Sequence, residues 1–103
     1  MANSPGKMQV IAERVLNARS RTSDTQLVFK AVIGAPYWTT EGVEAACPIA
    51  LEGLHGRLAD ICGIDPMDAL RNALGVLEKS LTGALEDYEL YWPDGEAFEP
   101  ASQ

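Results

Sequence analysis

Ile64-Asp65-Pro66-Met67-Asp68-Ala69-Leu70, continuing to Gly83-Ala84-Leu85, is the stretch that decides how this chain folds. Met67, Leu70, Leu74, Leu77, Leu81 and then Ala84 or Leu85 recur at steps of three and four, a period that lines apolar side chains along one stripe of an α-helix. Asp68, Arg71, Asn72, Glu78, Lys79 and Ser80 fall mostly on the opposite side. Asp65 is placed to cap the free backbone N–H groups, and Pro66 suits the first helical position, where no donor is needed. Asp68 adds negative charge near the positive end of the helix dipole. About twenty residues at 1.5 Å each give a rod roughly 30 Å long, enough to cover a small sheet. Gly75 and Gly83 each cost such a helix about 1 kcal/mol relative to Ala. Gly83 reads as an early end, and Gly75, just off the stripe, as a point of close packing against a strand.

Upstream of the helix the periodicity changes to that of strands. Met8 to Leu16 carries the β-formers Val10, Ile11 and Val15, and the polar run Asn17 to Asp24 reads as a hairpin loop. Thr25 to Ile33 is the clearest strand, with Leu27, Phe29, Ala31 and Ile33 on one face and Val28, Lys30 and Val32 on the other. Val28 and Val32 imply that the second face is also covered, by the C-terminal tail or by a second subunit. Gly34-Ala35-Pro36 breaks the strand, and Tyr37, Trp38, Thr39 and Thr40 read as a loop whose aromatics either cap the core or offer contact area to a partner. Val43 to Leu51 reads as a third strand with Ala45, Cys47, Ile49 and Leu51 on one face. Pro48, which has no N–H to donate, places it at an edge or a bulge. Glu52 to Gly56 is a turn, and Arg57 to Cys62 a short fourth strand. After the helix, Glu86 to Trp92 alternates weakly, and Trp92-Pro93-Asp94-Gly95-Glu96 is a turn that brings Ala97 and Phe98 back beside Tyr91. The expected fold is α+β: an antiparallel sheet of about four strands, in the order β-β-β-β-α, packed on one long helix, with a short C-terminal strand or arm. Residues 1–7 read as a disordered leader, 8–98 as a single domain and 99–103 as a frayed end.

At 103 residues the chain suffices for one domain, and its 47 % apolar content is ordinary for a folded protein. No apolar run reaches the eighteen or so residues of a transmembrane helix, and the stretch after Lys7 has no secretory h-region, so the expected setting is the cytosol. Cys47 and Cys62 lack CxxC spacing and read there as two reduced, buried thiols. The formal charge of −7 is spread unevenly. Residues 1–30 hold the bases Lys7, Arg14, Arg19, Arg21 and Lys30 against Glu13 and Asp24, whereas the last eighteen residues carry six acids and no base. That balance argues against a nucleic-acid binder and permits a protein partner with a basic surface.

Ile33-Gly34-Ala35-Pro36, Cys47-Pro48-Ile49, Gly53-Leu54 and Gly63-Ile64-Asp65 with Ala69-Leu70 form an ordered set of short steps. Together they resemble a family of small bacterial domains of unknown function, over about residues 9–85. The chain departs from that pattern at Ala46, where the family has an aromatic. The resemblance implies no activity and assigns no catalytic residue. Each motif also has a fold-making reading: Gly34 and Gly63 relax the backbone, Pro36 and Pro48 set turns or edges, and Asp65 caps.

Groups that could carry chemistry are sparse. His55 stands alone in a turn, and nothing in the spacing joins it to Cys47 or Cys62 as nucleophile, or to Asp60 or Asp65 as orienting carboxylate. One histidine and two separated cysteines make a poor zinc site, and phosphate-loop, dinucleotide and EF-hand patterns are missing, so no cofactor and no metal is expected. The tail stands out instead. Glu86, Asp87, Glu89, Tyr91, Trp92, Asp94 and Glu96 mix aromatics with acids, as binding surfaces do, although Tyr88, Leu90 and Trp92 packing back on the sheet gives the same pattern. The functional expectation is a non-enzymatic acidic protein-binding module, of the inhibitor or immunity type, covering a basic site. A structural homodimer and a small-molecule domain with a pocket between sheet and helix are the alternatives.

Overall fold

The helix forms as α1, Pro66–Ala84, in the computed structural model, which describes residues 8–100. The leader expected over residues 1–7 and the last three residues of the expected frayed end lie outside the described residues. Asp65 caps α1 as expected, its Oδ1 accepting the Asp68 N–H at 2.8 Å, with Pro66 in the first turn. Asp68 in turn accepts the Ile64 N–H at 3.0 Å, so cap and strand end are stitched together. That backbone hydrogen bond, with one from Arg71, holds the Asp68 carboxyl below the usual carboxylate range.

Around α1 the chain forms β1 (Val10–Ser20), β2 (Gln26–Gly34), β3 (Tyr37–Thr40), β4 (Glu44–Cys47), β5 (Ile49–Glu52), β6 (Gly56–Arg57), β7 (Ile61–Gly63) and β8 (Tyr88–Tyr91). The fold is α+β, one long helix packed against antiparallel sheet with a short C-terminal strand. The strands make two sheets rather than the single four-stranded one expected, in the orders β6-β5-β2-β1-β8 and β3-β4-β7.

Each departure has a local cause. β1 runs on to Ser20, through the expected loop, because Asn17, Ala18 and Arg19 are paired on both sides, by β2 and by β8. The remaining turn is tied by its own hydroxyls: Ser20 Oγ accepts the Thr22 N–H and Ser23 Oγ the Thr25 N–H, both at 3.2 Å. Tyr37–Thr40 is not a loop but the edge strand β3, paired with β4 and exposed throughout. The expected third strand is cut at Pro48, which is neither edge nor bulge but a buried corner where the chain leaves one sheet and enters the other. Its carbonyl accepts the Gly34 N–H at 2.9 Å, and a Cβ on Gly34 would stand 2.8 Å from Pro48 Cγ. The alternation survives the cut, so Ala45, Cys47, Ile49 and Leu51 all reach one core with Leu16, Phe29, Ala31 and Ile33. The expected fourth strand is likewise two short pieces, β6 and β7, in different sheets.

The helix stripe is the largest correction. The buried positions of α1 are Ala69, Ala73, Leu77, Leu81 and Ala84, whereas Met67 is 81 % exposed and Leu74 48 %. The reason lies in β7. A Cβ on Gly63 would fall 2.4 Å from the Ala69 nitrogen and 2.8 Å from its Cα, so strand and helix touch backbone to backbone. Only alanines fit along such a contact, and the longer side chains are turned away from it. Asn72 reinforces it by donating to the Cys62 carbonyl at 3.0 Å. Gly75 and Gly83, by contrast, meet nothing within 4 Å of an added Cβ, so neither is a packing point, and α1 ends at Ala84, one residue after Gly83.

Candidate functional site

The C-terminal arm is built on the edge of the five-stranded sheet. β8 pairs antiparallel with β1, Ala18 opposite Leu90 and Arg19 opposite Glu89. Leu90 is buried in the core, and Tyr88 packs partly against it. The chain then turns at Trp92-Pro93-Asp94-Gly95-Glu96: the Trp92 N–H donates to the Glu96 carbonyl at 2.8 Å, and Asp94 Oδ1 accepts the Glu96 N–H at 2.9 Å. Gly95 takes φ +96°, a region that disfavours any side chain. Ala97 bridges to Tyr91, and the Phe98 N–H donates to the Leu90 carbonyl at 2.9 Å, returning a buried Phe98 to the core. The arm therefore extends the sheet sideways and does not cover its second face, where Val28 is exposed while Val32 is buried.

The seven residues expected to meet a partner divide into two groups. Glu86, Asp87, Trp92, Asp94 and Glu96 are exposed. Glu89 and Tyr91 are half-buried and engaged with each other: the Tyr91 hydroxyl donates to Glu89 Oε1 at 2.9 Å, which raises the phenol above its ordinary pKa. Glu89 also lies 3.7 Å from Arg21.

Three residues of this region escape the sequence reading: Arg14, Arg21 and the bracing role of Phe98. Trp92 stands edge-on to Phe98, ring centroids 5.1 Å apart at 77°, and the Arg14 guanidinium lies 5.4 Å from the Trp92 ring and 5.5 Å from the Phe98 ring. Trp92 is 37 % exposed, so it is held rigid while still offering a surface. Arg21 supplies a charge that the helix lacks. The last turn of α1 carries no base, and Glu86 and Asp87 follow directly, an unfavourable charge at the negative end of a helix. Arg21 reaches across from the β1–β2 hairpin, its Nε donating to the Leu85 carbonyl at 2.7 Å. Arg21 thereby sets one base of the N-terminal region against the acid-rich C-terminal segment, where it also lies beside Glu89.

The remaining groups with chemical capacity sit elsewhere in fold-making roles. Cys47 and Cys62 lie on adjacent strands but face opposite ways. Cys47 is buried, donates to the Gly34 carbonyl at 3.3 Å, and is pushed up to about 11 by desolvation. Cys62 is exposed, contrary to the expectation of two buried thiols. Asp60 accepts the Tyr37 hydroxyl at 2.5 Å and Arg57 Nη2 at 2.7 Å. Burial alone would raise the Asp60 carboxyl, but these two hydrogen bonds outweigh it and leave it below the usual range, while the same contact raises the Tyr37 phenol. His55 is exposed in its turn.

No protein-family model matches this chain, and no curated protein or solved structure matches it either. Among the described residues no helix is long and apolar enough to cross a membrane.

Proposed function

We propose that this chain is a non-enzymatic protein-binding module, acting in the cytosol, whose C-terminal arm meets a basic surface on its partner. The observation that carries this reading is the half-exposed Trp92, clamped between Arg14 and Phe98 in the same turn as the exposed Asp94 and Glu96. An aromatic already held in place loses little freedom on binding, and surrounding carboxylates select a basic partner and speed its approach. Glu86 and Asp87 extend the acidic surface at the other end of β8, whereas Glu89 and Tyr91 brace the arm from within. A small inhibitor or immunity-type protein covering a cationic site is the class that fits.

Affinity capture from native lysate at low and high salt tests it, with Trp92→Ala and Asp94→Lys variants alongside. A partner retained by the parent at low salt, and lost at high salt and in both variants, is the expected result. Retention by both variants would sink the reading. A second reading, a homodimer, is favoured by the exposed edge strand β3 and by the exposed Ile64 and Met67. A dimer mass by light scattering at micromolar concentration would select it, and a monomer mass would remove it.

A further inference from the structure

Because the first half of α1 is drawn against β7, the second half stands apart from the five-stranded sheet. The gap is a groove of about 120 Å³ lined by Ala12, Ala31 and Ile33 from β1 and β2 and by Leu74, Leu77 and Leu81 from α1. Its small strand residues leave the space open, and Leu74 is half-exposed at its margin. An apolar cavity of about 150 Å³ takes up benzene, so a six-carbon group is the right scale.

Three charged groups also line the groove, Glu13, Arg14 and Glu78, and Glu13 is paired with Lys30 at 3.8 Å. Arg14 Nη1 reaches Glu78 Oε2 at 3.4 Å, but its guanidinium is committed to the Trp92 and Phe98 rings. Glu78 Oε1 is shielded from solvent and has no hydrogen-bond donor among the described residues. A shielded carboxylate oxygen without a donor is costly, and a cationic N–H donor is its best partner. Two carboxylates, Glu13 and Glu78, against the single guanidinium of Arg14 leave the lining net negative, which favours a cation over an anion.

From this we infer that the groove between α1 and the β1–β2 hairpin is a binding site for a small aliphatic amine, its apolar body on Ala12, Ala31, Leu77 and Leu81 and its ammonium on Glu78. The site shares Arg14 with the arm, but Trp92, Asp94 and Glu96 do not line it, so failure of the amine titration would leave the arm reading untouched.

The test is titration of ¹⁵N-labelled protein with cyclohexylammonium, cyclohexanol and cyclohexanecarboxylate at millimolar concentrations. Cyclohexylammonium should shift the amides of Ala12, Ala31, Leu77 and Glu78, and should bind about tenfold more tightly than the carboxylate, as expected for one charge-assisted contact. Glu78→Gln, which also frees Arg14, should abolish the preference for the amine over the carboxylate. Ala12→Leu, at an exposed position of the rim, should fill the groove and abolish all binding while the spectrum keeps its dispersion. No shift at those amides, equal binding of amine and carboxylate by the parent, or undiminished binding by Ala12→Leu would each overturn the assignment. Tighter binding of Nα-acetyl-lysine amide than of cyclohexylammonium would overturn it in favour of a partner protein's lysine.

Discussion

The two halves of α1 are held by opposite means. From Pro66 to Ala73 the helix touches β7 backbone to backbone, through Gly63 and Ala69, with Asn72 and Asp68 hydrogen-bonded across the contact. From Leu77 to Ala84 it is held by leucines that reach toward β1 and β2 and leave a groove beside them. In the first half, closeness substitutes for side-chain volume, and the large residue Met67 is left facing outward. In the second half, volume substitutes for closeness. Which residues of a helix form its core thus depends on how near its neighbour can come, as well as on how apolar they are.

Leucine truncation should break the second half hardest. Leu81→Ala removes a side chain that is 1 % exposed and should cost about 3–4 kcal/mol, read as a fall in the urea midpoint at constant m. Gly63→Ala attacks the first half, where the added methyl meets backbone that cannot turn aside. A loss of about 2–3 kcal/mol is expected from the same measurement, and a loss below about 1 kcal/mol would show that the contact is looser than drawn.

The tether at the far side of the three-stranded sheet is weaker. Tyr37→Phe removes the hydroxyl bonded to Asp60 and should cost about 1 kcal/mol at neutral pH, reduced from the value of a buried charged bond because both groups are partly solvated. Its pH dependence has a definite sign. The Asp60 carboxyl is depressed in the folded state, so its stabilisation is present above the ordinary carboxyl pKa and is lost as pH falls through the folded value. The Tyr37 phenol is raised, so its share is present below the ordinary phenol pKa and is lost as pH rises through its own folded value. Parent and variant should therefore converge at both extremes of a pH series of denaturation curves. The smallest effect belongs to the residue that heads the apolar stripe. Met67→Gln should change stability by less than about 0.5 kcal/mol, and a larger loss would place Met67 in an interface rather than in water.

Much of this architecture can be read from short stretches. The Asp65 cap, the Pro66 start, the Trp92–Glu96 turn and the alternation of Leu27, Phe29, Ala31 and Ile33 all depend on residues a few positions apart, and all are present. The candidate arm was legible in the same way, because its turn signal and its aromatic and acidic composition are local. Its bracing was not: Arg14 and Trp92 are far apart in the chain, and no periodicity joins them. The strand at Tyr37–Thr40 was hidden because the Gly34-Ala35-Pro36 break outweighed the β-forming Tyr, Trp and Thr that follow.

By itself the sequence determined where the helix starts, how long it is, which face of β2 is apolar and where the arm turns back, since capping, period and turn chemistry act over a few residues. Only the tertiary structure decided which stripe of α1 is buried, that Pro48 divides one apolar run between two sheets, and that β8 comes to lie against β1. The reason is distance. Gly63 lets two backbones meet and so selects alanines over leucines, and the pairing of β1 with β8 brings Arg21 of the β1–β2 turn beside Glu89, residues far apart in the chain.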